Sequence, residues 1–146
     1  MSAIDRFTVR EADWCHDQAA IRAVRHAVFV VEQGIPAALE WDDLDADCRH
    51  VLASTDAGDP VATGRLTPEG RIGRMAVLPA WRGCGIGRAL LARLLQLAGS
   101  RGLTDVCLHA QHAAAGFYRR AGFRENGAPF AVAGIAHVKM TRPIDP

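Results

Sequence analysis

The sequence predicts an α/β domain of the α+β kind, a mixed, mostly antiparallel sheet of six to seven strands flanked by helices. Three observations carry this. A strand and a helix come first, then three strand patterns with no helix between them, then strand, helix and strand. A run of helical spacing follows a glycine-rich turn that follows a strand. The chain of 146 residues is 49% apolar and 23% charged, enough for one domain over residues 1–146 with its own core.

The elements follow in order. Phe7–Arg10 alternates as a short strand. Asp13 is a natural N-cap for a helix through about Phe29, with Ile21, Val24 and Val28 on one apolar side. Gly34 and Pro36 break it. An acidic stretch from Glu40 to Asp47 comes next and reads as a solvated loop. Val51–Ser54, Val61–Leu66 and Ile72–Leu78 are strands, separated by turns at Asp56–Pro60 and Pro68–Gly70. Pro79 ends the third, because it has no N–H for a ladder. Gly85–Ala98 places Ile86, Leu90, Leu94 and Leu97 on one stripe, with Arg88, Arg93 and Gln96 off it. Gly102 stops that helix. Val106–Ala110 is a strand, about 113–121 a helix, and Phe123–Glu125 and Ile135–Thr141 are the last two strands.

Composition excludes several classes. A formal net charge of +1 argues against a bulk grip on nucleic acid or an anionic membrane. Met1–Arg10 has charges and no apolar core, so no secretory leader is expected, and no apolar run approaches membrane length. A soluble cytoplasmic protein is expected. Cys15, Cys48, Cys84 and Cys107 form no CxxC pair, so free thiols are expected and no metal site, with Cys107 as a buried small apolar residue. Asp43-x-Asp45-x-Asp47 opens like an EF-hand, but Cys48 stands where glycine is needed and Ser54 where the last glutamate belongs.

The strongest chemical signal is Arg82-Gly83-Cys84-Gly85-Ile86-Gly87-Arg88. Alternating glycines let a backbone turn tightly and approach an anion. The first amides of the following helix lack intrahelical acceptors, and the dipole favours negative charge there. Arg82 and Arg88 add charged donors. The spacing is not the G-x-G-x-x-G of a dinucleotide fold, and no G-K-[ST] follows as in a P-loop. A diphosphate of another carrier fits this loop.

These residues resemble the GNAT superfamily of acetyltransferases, whose motif R/Q-x-x-G-x-G/A is matched by Arg82, Gly85 and Gly87. Arg74-Met75-Ala76-Val77-Leu78-Pro79 looks like that family's splayed strand. Phe117-Tyr118-Arg119-Arg120-Ala121-Gly122-Phe123 resembles its F-Y-x-x-x-G-F. A narrower resemblance, to the ElaA/YjcF-like subgroup, runs through Val28–Pro36, Glu40, Asp42, Asp45, His50, Ala110–Ala113 and Gly134–His137.

The resemblance implies a sheet splayed at its centre around acetyl-CoA. It implies acetyl transfer to a primary amine by direct attack in a ternary complex. Met75, Ala76 and Val77 would meet the pantetheine arm, with the Val77 amide on the thioester carbonyl. Gly83, Cys84, Gly85, Ile86 and Gly87 would cradle the diphosphate, and Gln111 and Phe117 would border the arm. Tyr118, the chain's one tyrosine, would protonate the departing thiolate. For the base, His137 comes first and Glu32 second, with His50 and His112 open. Arg25, Glu32, His112 and His137 are candidate acceptor contacts; Arg25 could instead pair with the acidic stretch. The acceptor itself stays undetermined, and a homodimer is compatible with the sheet edges. Two other readings stand beside the enzyme: an acyl-CoA sensor without turnover, and a relative of the acyl-homoserine-lactone synthases, which Arg25, Phe29, Trp41, Asp42 and Asp45 loosely resemble.

Overall fold

The structure, a computed structural model, describes residues 6–144; the ends of the expected domain, 1–5 and 145–146, lie outside the described residues. The chain runs through β1 (Phe7–Ala12), α1 (Trp14–Arg25), a π-helical segment (His26–Glu32) and α2 (Ala37–Glu40). Then come β2 (Arg49–Thr55), β3 (Pro60–Leu66), β4 (Arg71–Val77) and α3 (Ile86–Ser100). It closes with β5 (Asp105–Gln111), α4 (Ala115–Arg120), β6 (Arg124–Glu125), β7 (Phe130–Val132) and β8 (Ile135–Pro143).

These strands make one eight-stranded sheet in the order β1-β2-β3-β4-β5-β8-β6, with β7 also on β8. Every pairing is antiparallel except β4 with β5. One strand more is present than the six to seven expected. It is β7, which pairs with β8 across a two-residue turn from Val132 to Ile135. Ala133 and Gly134 both hold positive φ, 52° and 77°, as the tightest hairpins require. Alanine at the first turn position hides that hairpin, since asparagine or glycine is the usual signal.

β3 is buried along nearly its whole length, because a helix covers each face. On one side Gly64 faces α3 so closely that a Cβ there would meet Leu94 Cδ1 at 3.0 Å. The stripe Ile86, Leu90, Leu94 and Leu97 fills this side and is buried as its spacing requires. On the other side Val24 and Val28 of the α1 arm pack on Ala76.

The first helix starts where expected. Asp13 accepts from the Cys15 amide at 3.0 Å. It does not stay α-helical to Phe29. From His26 it widens into a π-helix that runs to Glu32, a rare form often found at functional sites. Gly34 turns out of it at φ +71°.

The acidic stretch is only partly solvated: Asp43 and Asp47 are exposed, whereas Glu40, Asp42 and Asp45 turn inward. Glu40 is 3% and Asp45 6% exposed, and Arg25, at 0%, lies between them. Arg25 donates from Nε to Glu40 at 2.7 Å and from Nη1 to Asp45 at 2.8 Å. Arg65 donates to both Asp42 and Asp45, and Arg74 to Asp42. Trp41 covers the cluster, 4.9 Å from the Arg25 guanidinium carbon. Two site candidates of the sequence reading are thereby placed. Arg25 takes the second of its two alternatives, pairing with the acidic stretch, and is sealed away from any acceptor contact. His50 is buried too, with Nε2 2.8 Å from the Asp45 carbonyl and a pKa pushed down by burial. All four cysteines are free; the buried one is Cys48, whereas Cys107 is half-buried.

Candidate active site

Among the described residues β4 and β5 are the only parallel neighbours, and their pairing stops after Arg71–Cys107 and Ile72–Leu108. Beyond Ile72 the two strands part. A bulge helps to separate them. Between Thr63 and Arg65 the β3–β4 register slips, so Arg74 and Met75 together oppose Gly64, and Arg74 holds φ +49°. An extra residue bends a strand and raises its twist.

The gap opens into a cavity of about 480 Å3. Gly73, Arg74, Met75, Ala76 and Val77 wall it on the β4 side, and Leu108, His109, Ala110 and Gln111 on the β5 side. Phe29 and Gln33 of the π-helical arm close one flank, and Val132 and Ala133 of the β7–β8 turn close another. Thus both unusual backbone pieces, the π-helix and the alanine-led hairpin, line this space.

Val77 is well aimed. Leu78 donates its N–H to Val61 of β3 at 2.9 Å. Strand alternation then points the Val77 N–H and C=O away from β3. The carbonyl accepts from Arg82 Nε at 2.9 Å, which ties the glycine loop to the splayed strand.

The loop has the anticipated geometry. Gly83 and Gly85 hold φ +79° and +90° with open space where a Cβ would stand. Gly85 caps α3, so the amides of Ile86, Gly87 and Arg88 have no intrahelical acceptor. Arg88 is exposed. The Ile86 side chain is in the core, which leaves only its amide for a ligand. Arg82 and Gly87 border the cavity; Gly83, Cys84, Gly85 and Arg88 do not line it. The Cys84 thiol donates to the Trp81 carbonyl at 2.9 Å.

Tyr118 and Phe117 reach the cavity from α4. They meet edge to face at 5.0 Å, and Tyr118 meets Phe123 likewise at 5.9 Å. Burial pushes the Tyr118 phenol up to about 12. It therefore stays protonated across the neutral range. His137 enters from β8, directly opposite Gln111 of β5. Its Nδ1 lies 2.7 Å from the Ile135 carbonyl. As an Nδ1–H donor to that oxygen, the neutral ring keeps a lone pair on Nε2.

Two expected residues are placed differently. Glu32 does not line the cavity; both its oxygens are held by Arg82, at 2.6 and 2.7 Å. That guanidinium keeps its carboxyl below the usual range, so it is a poor base. His112 is exposed and outside the cavity. Gln111, at the end of β5 and the N-cap of the short 3-10 turn His112–Ala114, lines the cavity as expected and exchanges amide hydrogen bonds of 2.8 and 3.4 Å with Gln33. A lone sequence cannot show these pairings, because the partners are 50 and 78 positions away.

Sequence reasoning missed Phe29 and Gln33 as cavity lining, and also His109 and Glu40. His109 read as part of a buried strand. Glu40 read as loop. It borders the cavity, its Oε2 has no hydrogen-bond partner, and burial pushes its carboxyl up despite Arg25 and Arg74.

Comparison with known proteins agrees with this geometry. The family model described as an acetyltransferase (GNAT) domain matches residues 14–143. The uncharacterized N-acetyltransferase YjcF of Bacillus subtilis is 34% identical over 123 residues, 82% of this chain and 87% of that protein. The crystal structure of an acyl-CoA N-acyltransferase from Pseudomonas aeruginosa superposes with a TM-score of 0.81 at 33% identity, covering 93% of this chain and 98% of that one. Escherichia coli ElaA superposes at 0.78 with 27% identity, covering 93% and 99%.

Proposed function

Since the chain belongs to the GNAT acetyltransferase domain family and is an acyltransferase, we propose that it moves an acetyl group from acetyl-CoA to a primary amine by direct transfer. One observation carries the reading: a cleft between parting strands brings together the Val77 amide turned away from β3, the Tyr118 phenol and the His137 imidazole. Those are the three groups the chemistry needs. The Val77 N–H stabilises charge developing on the thioester oxygen. His137 Nε2 takes a proton from the acceptor's ammonium, directly or through water, and leaves the neutral amine that attacks the thioester carbon. Tyr118 gives its proton to the departing thiolate. The diphosphate rests on the Gly83–Arg88 loop and the start of α3. The pantetheine arm runs along Met75–Val77 and Phe117. Soluble cytoplasmic action fits the fold, and among the described residues no helix is long and apolar enough to cross a membrane.

Titration calorimetry with acetyl-CoA and CoA, against NAD and ATP, tests the donor side. Selective binding of the two CoA species supports it; heat with NAD or ATP alone overturns it. An amine panel followed by thiol release then separates an enzyme from a sensor.

Gly85→Val should weaken acetyl-CoA binding about tenfold or more. A branched residue at φ +90° strains the loop by about 1–3 kcal/mol, and its side chain shields the amides. Unchanged affinity in a folded variant would remove the loop from the site.

His137→Gln should lower kcat about 10²-fold, within the usual reach of a positioned base. A variant that keeps its kcat and merely raises the acceptor KM would make His137 a binding residue.

A further inference from the structure

Beside the main cavity lies a second recess of about 60 Å3. The two share Ile72, Gly73, Arg74 and His109 in their walls, so the recess opens from the point where β4 and β5 part. Its remaining lining is Leu44, Arg65, Thr67 and Arg71. Three arginines and a histidine therefore face one small space. A water needs roughly 10–15 Å3 of such volume, so a small oxyanion fits.

The charges do not cancel there. In the buried network, Glu40, Asp42 and Asp45 balance Arg25, Arg65 and Arg74, three against three. Arg71 has no carboxylate partner among the described residues. It donates instead from Nη2 to His109 Nδ1 at 2.8 Å, which leaves His109 Nε2 as an N–H donor. Lys139, opposite His109 in the β5–β8 register, adds a second unmatched cation. The His109 ring senses this surplus: burial first, then Arg71 and Lys139, hold it below its ordinary pKa.

We propose that this recess is an anion subsite of the acceptor cleft. The amine that receives the acetyl group carries a carboxylate or a phosphate, which docks on Arg71, Arg74 and His109 while the amine faces the main cavity. The inference rests on the acetyl-transfer reading above and narrows it to amino acids and amino phosphates, against neutral amines and polyamines. Arg71 is exposed, and its one side-chain bond is to His109. It can be changed without touching the network or the proposed catalytic groups.

The test begins with protein saturated with CoA, so that the diphosphate loop is filled. Sodium acetate and inorganic phosphate are then titrated in while the His109 ring protons are followed by NMR, assigned with His109→Gln. A saturable shift in the wild type is expected. Arg71→Gln should weaken it about tenfold or more, as for one lost charge-assisted hydrogen bond. The better of the two anions names the group. Matched acceptors give the second readout, an amino acid against its amide and an aminoalkyl phosphate against its alcohol. The charged member should be favoured about tenfold in kcat/KM, and the preference should collapse in Arg71→Gln with the acetyl-CoA KM unchanged. A non-saturating response that is equal in both proteins overturns the subsite, and so do amides acetylated as well as acids. CoA that fails to load is seen before any anion is added; it overturns the acyl-CoA reading and this inference with it.

Discussion

Tyr118→Phe is expected to lower kcat by about 10²–10⁴-fold, the span of general acid catalysis, with little change in acetyl-CoA affinity. The phenol sits on α4 at the cavity wall, wedged between Phe117 and Phe123. Phenylalanine keeps those edge-to-face contacts and the packing they bring. It removes only the hydroxyl. With its pKa pushed up to about 12 by burial, the phenol keeps its proton through the neutral and mildly alkaline range. Without it the thiolate leaves unprotonated. Stopped-flow measurement of thiol release under single turnover checks this, with calorimetry for the donor. An unchanged single-turnover rate would strip Tyr118 of the acid role. A rate loss matched by an equal loss of acetyl-CoA affinity would make it a binding residue.

Arg25→Met is expected to destabilise the fold by about 3–5 kcal/mol, the cost of leaving buried charge without its partner. Against a typical total of about 5–15 kcal/mol, that is a large share. Methionine fills much of the space, but Glu40 then loses its 2.7 Å donor and Asp45 its 2.8 Å donor. Arg65 still serves Asp45; Glu40 keeps only the more distant Arg74, at 3.4 Å. Urea unfolding of wild type and variant measures the loss. Glu40→Gln in the Arg25→Met background should return part of it, because one orphaned charge is gone. A variant with native stability and a raised acceptor KM would restore Arg25 to the acceptor site. The Asp45 part of the pH dependence has a definite sign. Burial drives the Asp45 carboxyl upward, but Arg25 and Arg65 outweigh it, and its net pKa is below the ordinary value of 3.8. A carboxylate depressed in the folded state stabilises above its unfolded pKa, and that contribution is lost as pH falls below about 4. The wild type should lose stability across that acid range, and Arg25→Met should lose less there because less remains to lose.

The network also shows why this face of the sheet tolerates so much charge. Three carboxylates and three guanidiniums close on one another, with hydrogen bonds to Glu40 Oε1, Asp45 Oδ1 and both oxygens of Asp42. Such a cluster is costly to break and specific in shape. It anchors α2 and the acidic stretch against β3 and β4, beside the wall of the acceptor cleft.

Much of the fold was legible because its signals are local. The Asp13 cap, the leucine stripe of α3, the stop at Pro79 and the positive-φ glycines at 83 and 85 each depend on a few neighbouring residues. The same holds for the loop and for Phe117–Tyr118, whose motif spacing carried the family resemblance. Three features were decided only by tertiary structure, because each depends on partners far away in sequence. Burial turned Arg25 and the inward carboxylates of the acidic stretch from a surface feature into an interior lock. The Arg82 guanidinium removed Glu32 from the list of bases. The parting of β4 from β5 placed His109, Arg71 and Arg74, scattered over 39 positions of chain, around one recess. Spacing along a chain reports which side chains share a helix face or a strand face. It does not report which charges meet across the sheet, since that is set by packing and by the desolvation that packing imposes.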